Sequence, residues 1–137
     1  MERLERRIKE TNKALAQLRE ILEQPYSVIV RDATIQRFEY TFEAFWKLLR
    51  EYLREGEGII SNSPKSCFRE ALSAGFIGEE QTITCLEMAD DRNLTSHAYI
   101  EEVAEQIYRK LESHTKLMDD IFNLIKRKFE DQNIENV

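Results

Sequence analysis

Arg92, His97 and Tyr99 place a cation, a titratable imidazole and a phenol within the stretch Asp91-Arg92-Asn93-Leu94-Thr95-Ser96-His97-Ala98-Tyr99. A guanidinium holds a phosphate through a bidentate fork, and an imidazole moves a proton near neutral pH. The pair suits work on a phosphodiester or a nucleotide. Its spacing carries a constraint, because at about 100° per residue five steps put Arg92 and His97 about 140° apart on one straight helix. They can share a ligand only if the helix breaks between them or a second chain supplies one of the two. A break after Arg92 with a restart near Ser96 would set His97 in a first helical turn, where the positive dipole end disfavours the imidazolium and leaves a neutral base.

The neighbouring residues have simpler readings. Asn93, Thr95 and Ser96 are helix-end and cap types that can also hydrogen-bond a phosphate, and the structural role is favoured for Thr95 and Ser96. Tyr99 also fits as the first aromatic of a final helix. His114 falls on the apolar seam of that helix with no Cys or His at ligand spacing, so it reads as a hydrogen-bonded interface residue and not a catalyst. Cys67 and Cys85 form no Cys-x-x-Cys or Cys/His pattern and read as small buried hydrophobes, with neither disulfide nor metal implied. No phosphate loop, nucleophile elbow or zinc signature occurs. No cofactor is expected.

The elements that must position these groups are helical. With 34% charged and 42% hydrophobic residues but only four Gly and two Pro, the 137-residue chain fits one domain, residues 1–137, of solvated helices around an apolar interior. Leu4, Ile8, Thr11, Leu15, Leu18 and Leu22 alternate at steps of four and three, which predicts an amphipathic first helix ended by Pro25. After the apolar run Val28-Ile29-Val30, a second helix carries Ile35, Phe38, Phe42, Phe45, Leu49 and Tyr52 on one seam, widened by Trp46 and Leu53, until Gly56 and Gly58 stop it. Ser63-Pro64 supplies a cap and a first-turn proline for a short third helix through Leu72, ending near Gly75. A fourth runs from about Glu79 through Met88 toward Arg92, and the last holds Ile100, Val103, Ile107, Leu111, His114, Met118, Ile121 and Ile125 in one seam. Its polar end, Lys126 to Asn133, is expected to fray. The fold class is all-α, an antiparallel up-and-down four-helix-type bundle with an additional short helix. Seams this long on the first and last helices invite a dimer or a partner.

Net charge limits the function classes. At −6 the chain opposes non-specific attraction to nucleic acid, so any RNA contact must be local, with Arg31, Arg37, Lys47 or Arg50 gathered beside Arg92. No window approaches the ~20 apolar residues of a membrane span, and the start resembles no signal peptide, which points to a cytoplasmic protein.

Arg92-Asn93-x-x-x-His97-x-Tyr99 resembles the Arg-x4-6-His-x-Tyr motif of the HEPN superfamily. The blocks from Ile35 to Lys47, from Ser63 to Ala71 and from Asp91 to Glu102 resemble the nucleotidyltransferase substrate-binding protein family within it, over about Ile35 to Tyr108. Two positions depart from the pattern, with Cys85 where a tryptophan is expected and Ile100 where a polar residue is common. The resemblance implies a helical bundle that homodimerises, with each motif near the dimer cleft, and a heteromeric partner, a small nucleotidyltransferase of the DNA polymerase beta type. It further implies the toxin-like, metal-independent ribonuclease of a toxin–antitoxin pair. In that role His97 promotes attack by an RNA 2′-hydroxyl, Arg92 stabilises the scissile phosphate, Asn93 helps orient it, and AMP added to Tyr99 silences the toxin. The rival reading is a non-catalytic subunit that presents a nucleotide or other substrate to the transferase. A third treats Arg92 and His97 as helix-end residues of an interaction module.

Overall fold

The computed structural model describes residues 2–135, as five α-helices: α1 (Glu2–Leu22), α2 (Val28–Glu57), α3 (Pro64–Ser73), α4 (Glu79–Leu94) and α5 (Glu101–Glu135). A single 3-10 turn, Thr95–His97, joins α4 to α5, and no strand occurs among the described residues. This is the expected all-α bundle, with α3 as the additional short helix.

Local chemistry sets the helix ends. Ser27 has extended backbone and its hydroxyl accepts from the Val30 amide at 3.0 Å, so α2 begins at Val28. The run Val28-Ile29-Val30 is therefore the first turn of α2 and not a separate segment before it. Gly58, at φ 67°, closes α2 in the left-handed conformation that only glycine adopts without strain. Ser63 caps α3 through the Ser66 amide, with Pro64 at the first position. The last helix extends beyond its apolar seam to Glu135, so the polar stretch expected to fray is part of α5.

The helices α1 and α2 are antiparallel and very close. Thr11 donates to the carbonyl of Ala44 and Thr41 to that of Ala14, each at 3.2 Å, while each hydroxyl also serves the carbonyl four residues before it. Small alanines opposite threonines let the two backbones approach. The pairs Arg31–Glu101 and Phe38–His114 advance together along α2 and α5, which makes those two helices parallel.

The core follows α2. Phe38, Phe42, Phe45, Leu48, Leu49 and Leu53 are at most 1% exposed, and the Phe68 ring of α3 sits 6.1–6.2 Å from those of Phe42 and Phe45. The seams of α1 and α5 are satisfied within the chain: Leu4, Leu15 and Leu18 are buried, as are Ile107, Leu111, Met118, Ile121 and Ile125. The expectation that these two seams await a partner is corrected, because they pack on α2 and on each other. Among the described residues, the large apolar side chains left exposed lie elsewhere, at Tyr26, Val28, Ile29, Tyr40, Ile60, Ile83, Tyr99 and Ile100.

Replacing the fully buried Phe45 by alanine should cost about 3–5 kcal/mol of unfolding free energy. Ile29→Ala, at a side chain 82% exposed, should stay within about 0.5 kcal/mol of the parent. Urea denaturation of both variants checks the contrast.

Candidate functional site

The Arg92–Tyr99 segment is the corner where α4 ends and α5 has yet to start. The helix tightens at Thr95, whose hydroxyl donates to the Arg92 carbonyl at 2.7 Å, and Ser96 likewise serves the Asn93 carbonyl at 3.1 Å. Both hydroxyls thus hold the turn, as their residue types suggested. Three residues of 3-10 geometry break the straight helix between Arg92 and His97. The helix restarts at Glu101, so His97 closes the 3-10 turn and does not sit in the first turn of α5. The dipole argument for a neutral base at His97 loses its geometric ground.

The structure places the candidate residues in two neighbouring environments. Arg92 is partly buried against α2, with Nε 3.7 Å from a Glu43 oxygen and one Nη1 4.0 Å from Glu39 and 3.2 Å from the Thr95 hydroxyl. With Asn93 it lines a cleft of about 230 Å³ whose other polar walls are Glu43, Ser63 and Lys65. Lys65 itself is paired to Asp90 at 2.5 Å. His97 and Tyr99 face outward, their ring centroids 6.2 Å apart, and Tyr99 is 82% exposed. Tyr99 borders a second cleft with Asp32, Gln36 and Glu39. The two clefts meet at Glu39, which borders one and pairs with the arginine of the other. Within one chain Arg92 and His97 share neither a hydrogen bond nor one of these clefts.

Behind the turn lies a buried, hydrogen-bonded carboxylate that fixes it. Asp91, 5% exposed, contacts His114 Nε2 at 2.7 Å and accepts from Lys110 Nζ at 3.1 Å. The His114 ring stacks on Phe38 at 5.8 Å, so α2, α4 and α5 are tied together one residue before Arg92. The Nε2–H tautomer satisfies the carboxylate and leaves Nδ1 as a bare acceptor, the cheaper group to leave unpaired. His114 is thus the hydrogen-bonded helix-interface residue expected of it. Asp91 is the residue whose role the sequence reading missed. Its signal was present, since Thr82, Cys85, Met88 and Asp91 follow one another at steps of three on the buried side of α4, and a carboxylate there requires a partner.

A second clamp holds the far side of the corner. Arg31, 2% exposed, donates to Glu101 at 2.6 Å, to Glu105 at 2.9 Å and to Asp32 at 3.0 Å, and Tyr26 donates to Glu105 as well. Bonds to Glu101 and then Glu105 push the guanidinium above its ordinary range. Of the cations expected to gather beside Arg92, Arg31 is therefore consumed in this clamp, and Arg37 turns toward α1, donating to the Gln17 carbonyl at 2.8 Å. Lys47 and Arg50 do continue along α2 from Glu43: Lys47 lies 3.9 Å from it, and Arg50 lies 4.9 Å over the ring of Trp46, whose Nε1 donates to Glu43. Lys65, to which no role was given, is the cation that shares the cleft of Arg92. Cys67 and Cys85 are wholly buried and unpaired, each thiol pushed up to about 12 by burial. Among the described residues no group of His, Cys, Asp and Glu is placed to hold a metal ion, and no helix is long and apolar enough to cross a membrane.

The chain is an all-helical bundle whose last two helices meet at the Arg92–Tyr99 corner. Residues 6–127 match the family described as Nucleotidyltransferase substrate binding protein like, and the chain belongs to it. A curated relative, the Probable ribonuclease HepT of Haemophilus influenzae, is 32% identical over 82 residues, which are 57% of this chain and 55% of the relative. The chain thus matches about half the length of that protein. A crystal structure from Thermus thermophilus, of ttk003001694, is 48% identical and superimposes with a TM-score of 0.80, covering 84% of this chain and 98% of that one. HI0074 of Haemophilus influenzae, described as the fold of a substrate binding domain of a nucleotidyltransferase, is 22% identical with a TM-score of 0.62 over 90% of this chain and 96% of its own, a likeness of fold.

The Arg31 clamp makes a pH prediction. The hydrogen bond from Tyr26, and then that from Arg31, hold the Glu105 carboxyl below the ordinary glutamate range. The unfolded chain therefore binds its proton first as pH falls, and the stabilisation, complete above the ordinary range, is lost as pH drops through the lowered folded value. Glu51, lowered mainly by Arg54, acts in the same direction. Between about pH 5 and 3 the fall in unfolding free energy should be shallower in Glu105→Gln than in the parent, read from urea titrations at each pH.

Proposed function

We propose that this chain is the toxin-like component of a two-component system with a small nucleotidyltransferase of the DNA polymerase beta type, and that it is a metal-independent ribonuclease working as a homodimer. The observation that carries the reading is the Arg92–Tyr99 corner, which sets a guanidinium in a cleft and exposes an imidazole and a phenol beside it. Membership of the substrate-binding family supports a transferase partner, and the likeness to a probable ribonuclease supports the chemistry. Because Arg92 and His97 of one chain do not face one cleft, a second copy that brings its own corner alongside would complete the site. The exposed apolar side chains Tyr99, Ile100 and Tyr40 border the same region, Tyr40 by its helical spacing from Gln36 and Glu43.

In the reaction, His97 takes the proton of an RNA 2′-hydroxyl, whose oxygen attacks the adjacent phosphorus. The bond to the 5′-oxygen breaks, leaving a 2′,3′-cyclic phosphate on one fragment and, once that oxygen takes up a proton, a 5′-hydroxyl on the other. Arg92 offsets the charge that builds on the phosphorus oxygens, and Asn93 orients them. The exposure of Tyr99 suits its phenolic oxygen to attack the α-phosphorus of ATP held by the transferase, with pyrophosphate leaving and the phenolic proton passing to the transferase. AMP fixed there adds negative charge and bulk beside the clefts and repels RNA.

A second reading, a non-catalytic subunit that presents a nucleotide to the transferase, is favoured by one observation. Glu39 and Glu43 already neutralise Arg92, an arrangement suited to exchange of a bound anion.

Growth after induction of the chain alone separates the two. Ribonuclease action predicts growth arrest by the wild-type chain, abolished in Arg92→Ala and His97→Ala at equal soluble expression. The purified His97 variant should cleave RNA about 10²–10⁴-fold more slowly. A harmless wild-type chain, with nucleotide binding by the assembled complex weakened in Arg92→Ala, selects the presenting subunit. Incubation with the transferase and ATP should add one adenylyl group to the chain by mass spectrometry and none to Tyr99→Phe.

A further inference from the structure

Three guanidinium groups meet at the opposite end of α2. The start of α1, the last two turns of α2 and the connection from Ile59 to Asn62 enclose a cleft of about 220 Å³ whose cations are Arg3, Arg50 and Arg54. Gly58 turns the chain there, and the Ile59 amide bonds back to the Leu53 carbonyl at 3.1 Å, which brings Ser61 and Asn62 over the end of the helix.

One carboxylate stands in the wall, and it is already committed. Glu51 is 5% exposed, accepts from Arg54 at 2.5 Å and lies 4.0 Å from Arg3. Hydrogen bonding by Arg54 holds its carboxyl below the ordinary range. The other acid near Arg54, Glu55 at 3.8 Å, does not line the cleft. Arg50 has no carboxylate within ion-pair distance among the described residues, and its guanidinium is held over the Trp46 ring at 4.9 Å. That contact steadies the group and leaves its N–H edge to a ligand. In a chain of net charge −6, a concave site with three cations against one buried carboxylate is a local reversal of sign.

We propose that this cleft is a phosphoryl-group site distinct from the cleft of Arg92. Glu51 occupies the planar fork that a carboxylate ligand would use on Arg54. The remaining donors belong to three separate side chains that line the cleft, Arg3, Arg50 and Arg54, and suit the several oxygens of a tetrahedral phosphoryl group. From Glu43 to Arg50 and Arg54 the helix rises about 10–16 Å, so the site lies beyond the reach of a single phosphate held at Arg92. The phosphoryl group can belong to an RNA phosphodiester or to a free mononucleotide.

The test is a titration of the full chain followed by the NMR signals of the arginine Nε–H groups and of the Ser61 and Asn62 amides. The probes are inorganic phosphate, AMP, adenosine and a hexauridylate without terminal phosphates. Phosphate and AMP should shift these signals and adenosine should not. Arg3→Gln, at a side chain 66% exposed, and Arg50→Gln should each weaken AMP binding roughly tenfold, the loss expected of one charge-assisted contact. Arg92→Ala should leave the shifts at this cleft in place, which keeps the result independent of whether RNA is cleaved. Tighter binding of the hexauridylate, falling steeply with salt, assigns the site to RNA, and tighter binding of AMP assigns it to a mononucleotide. Absence of shifts with phosphate, AMP and hexauridylate alike overturns the proposal. So do equal shifts with adenosine, or undiminished AMP binding in a folded Arg3→Gln/Arg50→Gln chain.

Discussion

The aromatic seam of α2 can leave water only if other helices close around it, and the positions of α1, α3 and α5 answer to that requirement. Phe38, Phe42 and Phe45 are bulky and unbranched at Cβ, so they fill the space that α3 and α5 present, while the Thr/Ala contacts let α1 approach on another side. Burial of each such ring contributes on the order of 2–3 kcal/mol. The face of α2 that the seam does not use is left to Gln36, Glu39, Glu43, Lys47 and Arg50, and there both the Arg92 cleft and its basic continuation are built.

Charge then fixes what apolar packing cannot. Packing on α1 and α2 sets where α5 lies, and packing on α3 and α5 sets where α4 lies, while the short corner between them is held by charge. Asp91 with His114 and Lys110 pins the corner from inside, and Arg31 with Glu101 and Glu105 pins the start of α5. Such partly buried pairs add little net stability once desolvation is counted. Their value lies in geometry, because both sets hold the corner in the rotation it adopts. His97 and Tyr99 are presented outward as a consequence, and Arg92 is turned inward.

The charge distribution also reconciles an acidic chain with the anionic ligands proposed for it. Carboxylates are spent on cations wherever those are structural, as at Arg31. Where cations gather at a cleft, at Lys65 with Arg92 and at Arg3, Arg50 and Arg54, one carboxylate stands in each wall, Glu43 in the first and Glu51 in the second. Net charge describes the long-range field, whereas recognition depends on groups within a few ångströms, where screening by solvent and salt is weak.

The sequence by itself determined the helices, because periodicity and capping are local. Seams at three and four spacing, Ser63-Pro64 and the glycines after α2 mark out all five helices, α3 and α4 to within a few residues at both ends, and the Arg92–Tyr99 stretch shows its residue types in plain view. The start of α2 was misplaced since an apolar run before a long helix has no period of its own, and only the Ser27 cap decides it. Tertiary structure alone decided which charges meet: Arg31 with α5, Arg92 with Glu39 and Glu43, and Arg3 with the end of α2. These partners are separated by roughly fifty residues or more in the chain, and no periodic signal spans such a distance. It also decided that the seams of α1 and α5 cover each other, because the depth of a core depends on how many helices share it, a quantity that no single helix records.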